Sequence, residues 1–148
     1  MAGRLAGLLP PERTTTDCDI MAYDPEASFA AVEQEAFHVA KRLGLDKKWL
    51  NGAATGFAMY LPAGWEKRRR LLGQFGLLKV YYVDRFDLIA LKVLAGRAVD
   101  QHDLLTMRIT RAEIIRVRKH LGTLPSRGVS DETIRAAHEL LDALEPSP

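Results

Sequence analysis

Arg13-Thr14-Thr15-Thr16-Asp17-Cys18-Asp19 is the stretch on which the fold of this chain turns. Three consecutive threonines are β-branched, and Ile20 and Met21 continue the pattern, which predicts a strand over residues 14–23. Side chains alternate faces along a strand, so Asp17 and Asp19 should stand side by side with Cys18 on the opposite face. Two like charges that close repel unless a cation neutralises them. Mg²⁺ fits such a pair when one or two carboxylates share the ion with substrate phosphates. The plainer alternative is a solvated pair at a strand end, since Asp-x-Asp is short and common.

Working outward, Asp24-Pro25 should open a helix, because Asp caps and Pro is pre-set for a first turn. Phe29, Val32, Ala36, Ala40 and Leu43 then recur at helical spacing, and Gly44 is a natural stop. Residues 46–61 are ambiguous, with a short helix around Trp49 as the expectation. The apolar runs Leu71-Leu72 and Leu77 to Val83, split by glycine-containing residues, read as strand, turn, strand. Asp84 to Gly96 reads as a helix with Asp84 as cap and Asp87 three residues on. A shorter helix follows from about Val99 to Met107. Thr110-Arg111-Ala112-Glu113 is a capping box ahead of another. The last helix has Ser130 as cap, Val129 and Ile134 as a hydrophobic staple, and a stripe of Ile134, Ala137, Leu141 and Leu144. Strands in the first half and helices in the second give an α/β or α+β class.

The 148 residues suit one domain, and 47% hydrophobic with 27% charged residues excludes a disordered or collagen-like chain. The single Cys18 forbids an internal disulfide, and a reducing compartment follows. No uncharged apolar run approaches the roughly 20 residues of a membrane helix. The stretch Leu5 to Leu9 is too short for the apolar region of a secretory signal, so the expectation is cytoplasmic. The net charge of +2 hides an asymmetry: residues 1–64 carry six basic and eight acidic groups, and residues 65–148 carry fifteen and eleven. Between Leu104 and Ser130, Arg108, Arg111, Arg116, Arg118, Lys119 and Arg127 face only Glu113.

Lys92 stands out on physical grounds. Its helical neighbours Leu88, Ile89 and Ala95 are apolar, so a buried ammonium there needs a phosphate or a carboxylate such as Asp100. The alternative is a lysine snorkelling from the rim of the stripe. Asp100 and Asp103 share one face of the next helix, where acids near the start also favour the helix dipole. Lys67-Arg68-Arg69-Arg70 reads as a solvated face rather than a nucleic-acid site. His38 and His102 read as ordinary helix residues, His120 and His138 as surface groups, and Trp49 and Trp65 as packing residues.

Arg13, Thr15, Asp17 and Asp19 together resemble the R-x-[ST]-x-D-x-D signature of the nucleotidyltransferase superfamily, nearest to its AbiEii/MenA-like toxin branch and uncharacterised relatives. Lys92, then Arg97-Ala98-Val99-Asp100-Gln101-His102-Asp103, resembles that family's helix lysine followed by R-x-K-D-x-x-D, with Val99 where a basic residue is usual. The resemblance implies a small mixed sheet with helices over residues 1–105, and C-terminal helices over 106–148 packed on the same domain. Only Gly3 stands near the family's phosphate-cradling glycine pair, and the strand that leads into that pair has no counterpart, which implies an N-terminally shortened core. No third carboxylate occurs in Lys79 to Val83, where the family places one on a later strand.

By this resemblance Asp17 and Asp19 hold Mg²⁺ or Mn²⁺. Asp17, Asp19, Lys92 and Asp100 are catalytic. Gly3, Arg13, Thr15, Lys92 and Asp103 bind the nucleotide. The implied reaction moves a nucleotidyl group from an NTP to RNA or protein, in a toxin–antitoxin system, with the basic 104–130 region meeting the acceptor. A partner protein or a homo-oligomer is a further expectation. Two alternatives accompany it: a catalytically degenerate binding or regulatory module of the same fold, and a plain RNA-binding domain using the basic region.

Overall fold

A computed structural model of the protein describes residues 17–21, 29–76 and 78–145. Gly3, Arg13, Thr15 and the Asp24-Pro25 helix start lie outside the described residues. The chain divides into two compact units between Met59 and Tyr60.

In the first unit, strand β1 (Cys18–Asp19) pairs in parallel with β2 (Leu50–Asn51), and helix α1 (Phe29–Leu43) lies between them in sequence. Parallel strands need such a crossover, so this is a small β-α-β unit. The expected strand is present at its acidic end. The expected helix around Trp49 is not formed; β2 takes its place. The reason is long-range: the carbonyls of Trp49 and Asn51 accept the N–H groups of Cys18 and Ile20, at 2.5 and 2.8 Å. The Trp49 indole N–H also donates to the Ala36 carbonyl of α1 at 2.9 Å, tying helix to strand. Ala36 and Ala40 are buried as the helical spacing predicts, but Leu43 is 61% exposed. Gly44, at φ +66°, ends the helix there, and Leu45 N–H closes back on the Ala40 carbonyl.

The second unit opens with the short helix α2 (Trp65–Arg68) and an antiparallel hairpin, β3 (Arg70–Phe75) with β4 (Leu78–Tyr82). The first strand runs on through Gly73 to Phe75, so the turn is shorter than the apolar pattern suggested. Gly76 sits in it at φ +65°, the left-handed backbone that a two-residue hairpin connection requires. A register shift between Leu71 and Gly73 marks a bulge. Leu71, Leu72 and Phe75 are exposed, so this hairpin is not a core strand pair.

Four helices build the core: α3 (Arg85–Ala95), α4 (Ala98–Met107), α5 (Arg111–Leu121) and α6 (Asp131–Ala143). All four lie within two residues of the sequence expectation. Their boundaries are local chemistry. Asp84 accepts from Phe86 N–H, Thr110 and Glu113 form a reciprocal capping box, and Ser130 accepts from Thr133 N–H. Gly96, at φ +59°, stops α3. Phe86, Ile89, Ala90 and Val93 of α3 meet Leu104 and Met107 of α4, Ile114, Val117 and Leu121 of α5, and Ala137 and Leu141 of α6. Full burial of each Leu or Ile contributes about 1.5–3 kcal/mol. Ile115 points outward, 60% exposed, and leaves the α5 stripe to Ile114, Val117 and Leu121.

Candidate functional site

In the first unit the described end of the motif is laid out as the alternation requires. Asp17, just before β1, and Asp19 within it are exposed, and Cys18 and Ile20 between and beyond them are half-buried. Their charge registers on the neighbouring thiol: burial pushes Cys18 up from its ordinary value, and the Asp19 and Asp17 carboxylates push it further. Two hard oxygen donors on one strand face suit Mg²⁺ or Mn²⁺ that takes its remaining ligands from phosphates and water. Among the described residues no group of three or more His, Cys, Asp or Glu side chains is placed to hold a metal ion. The donor set therefore fits a shared ion, not a closed protein cage.

In the second unit α3 and α4 bring together the other motif residues. Lys92 Nζ donates to Asp100 Oδ1 at 3.0 Å and to Asp103 Oδ2 at 2.6 Å. The three side chains are 11%, 2% and 0% exposed, so Lys92 does not snorkel; its partners are carboxylates. Asp100 also accepts from Arg97 Nε at 2.6 Å and from Nη2 at 3.3 Å. Burial pushes the Asp100 carboxyl up, but the Arg97 and Lys92 hydrogen bonds outweigh it and hold it below the usual carboxylate range. Two cations and two carboxylates cancel within the cluster. Its solvent-facing member is Arg97, whose side chain is 70% exposed.

Sequence reasoning missed a second buried pair. Asp87 does not turn back on its helix start. It is fully buried and takes Arg68 Nη2 at 2.6 Å and Nε at 3.2 Å. Arg68 also donates to the carbonyls of Pro62 and Ala63. Arg70 pairs with Asp84 at 3.2 Å, and the Arg69 guanidinium lies 4.3 Å from the Tyr81 ring centre. Arg68 and Arg70 thus fasten α2 and the hairpin to α3, while Lys67 stays on the solvated face.

Three arginines of the basic 104–130 region are likewise engaged from within. Arg118 pairs with Asp142, Arg127 donates to the Leu61 carbonyl, and Arg116 lies 3.7 Å from the Phe86 ring centre. Glu113 holds Arg85 at 2.7 Å besides capping α5. Arginines in the sequence are visible as charge, whereas the acids and rings that meet them arrive from other helices.

His120 is also corrected. It is 7% exposed, not a surface group, and its Nε2 meets the Tyr60 carbonyl at 2.9 Å. Burial lowers its affinity for a proton despite that carbonyl. The folded state therefore holds fewer protons than the unfolded state below about pH 6.5, and stability falls as pH drops through that range. Thermal melting between pH 7.5 and 5.5 is expected to show a declining midpoint, and His120→Gln is expected to flatten it.

The mixed α/β architecture with small sheets is consistent with a small nucleotidyltransferase-like α+β fold. Residues 5–120 match the family described as nucleotidyltransferase of unknown function (DUF6036), and the chain belongs to that family. No curated protein and no solved structure matches it.

Proposed function

We infer that the protein transfers a nucleotidyl group from an NTP to an RNA or protein acceptor in a metal-dependent reaction. The observation that carries this reading is the alternation at β1, with Asp17 and Asp19 exposed and Cys18 and Ile20 half-buried. Mg²⁺ or Mn²⁺ held there would neutralise phosphate charge and orient the triphosphate. Asp17 and Asp19 supply the carboxylate oxygens, and catalysis is mainly positioning, with pyrophosphate as the leaving group. In the second unit Lys92 acts as a positioning residue: it holds Asp100, which in turn accepts from Arg97. A toxin–antitoxin setting belongs to the same reading and rests on the motif resemblance.

Labelling of RNA or protein from α-³²P NTPs tests it. Asp17→Asn or Asp19→Asn is expected to lower Mg²⁺-dependent labelling on the order of a hundredfold or more. Absence of NTP binding to the intact chain in calorimetry would sink the reading. One observation favours the second reading, a degenerate binding or regulatory module: Lys92 is already satisfied by two carboxylates. That reading expects a stable complex with a partner protein that is indifferent to Asp17→Asn.

A further inference from the structure

Where α4 hands over to α5, a groove with a cavity volume of about 480 Å³ opens on the second unit. Its walls are apolar: Leu104 and Ile109 are buried at the base, Leu105 is 62% exposed at the rim, and Leu144 closes one side. Arg108 and Arg111 stand at its mouth. Arg108 has φ +50°, whereas the other described residues with positive φ are glycines. A side chain with a Cβ is disfavoured there, and Gly or Asn would be the usual choice at a helix end. The guanidinium makes no hydrogen bond or ion pair with any described residue. Arg111 has only a loose contact with Glu145, at 3.6 Å, and is 79% exposed.

We propose that this groove binds an amphipathic monocarboxylate, with its hydrocarbon body on Leu104, Leu105, Ile109 and Leu144 and its carboxylate on Arg108. The volume falls within the roughly 300–1,000 Å³ of small-molecule sites. The guanidinium fork matches a planar carboxylate in bidentate fashion. The walls are side chains on helices and a turn, with no strand edge for an extended peptide to join. The inference is independent of the proposed nucleotidyl transfer.

Calorimetric titration of the full chain with decanoate, below its micelle concentration, tests the site. Decyltrimethylammonium serves as the opposite-charge control, and ¹⁵N NMR locates binding. Decanoate is expected to shift the amides of residues 104–111 and 144 and to bind at least about tenfold more tightly than the cation. Arg108→Gly separates fold from function: it relieves the left-handed backbone, so the melting midpoint should rise, while decanoate affinity falls roughly tenfold or more. Arg108→Asn, also tolerant of positive φ, and Leu105→Asp at its exposed position are expected to lose binding with the fold intact. Absence of decanoate binding would overturn the proposal. So would equal binding of both head groups, undiminished binding by Arg108→Gly, or occupancy of the groove by an acidic helical peptide in preference to decanoate.

Discussion

Replacing Lys92 by methionine is expected to destabilise the protein by about 3–5 kcal/mol. Methionine fits the apolar neighbours but removes the ammonium that the buried Asp100 and Asp103 share. Asp100 keeps Arg97, whereas Asp103 loses the 2.6 Å hydrogen bond from Lys92 Nζ. Against a typical total of about 5–15 kcal/mol, such a loss threatens folding at 37 °C. Urea denaturation of the two proteins measures it as a lower midpoint with unchanged slope. Lys92→Met combined with Asp103→Leu should recover most of the loss, because a well-packed apolar pair replaces a buried ion pair at little cost. A single-variant loss below about 1 kcal/mol, the range of exposed pairs, would contradict the burial argument.

Asp87→Ala is the second large effect, also about 3–5 kcal/mol, at the lower end because Arg68 retains 24% exposure and two carbonyl partners. The Arg68 guanidinium loses the acceptor that fixes it, and burial of Asp87 means no water replaces it without opening the core. The loss should be local in character. Hydrogen exchange is expected to speed up in α2 and at the start of β3, while amides in α5 and α6 slow down or speed up only with global stability. Asp87→Asn retains one oxygen acceptor and should cost less than Asp87→Ala. Equal exchange rates in α2 for the variant and the parent would show that the clamp does not hold that segment.

Both effects concern residues whose roles were legible in the sequence to different degrees. Lys92 was readable because its problem is local: an ammonium among Leu88, Ile89 and Ala95 demands a partner, and Asp100 lies one short helix away. Asp87 was not readable. Three residues after a cap it looks like a helix-start acid, and nothing near it in the chain announces Arg68, nineteen positions earlier. His120 failed for the same reason, since its partner is the Tyr60 carbonyl sixty residues away.

The sequence by itself determined the helices α3 to α6, their caps and their buried stripes. Those depend on hydrogen bonds and spacings within about one turn, which a linear text contains. It also determined that Asp17 and Asp19 share a face, because strand alternation is a property of the backbone. Only the tertiary structure decided that residues around Trp49 form a strand, that Arg68 and Arg70 of the basic run clamp α2 and the hairpin to α3, and that most of the 104–130 arginines are already partnered. Each of these turns on which distant group supplies the second half of a hydrogen bond or ion pair, and burial, which sets the strength of that bond, exists only once the chain has folded.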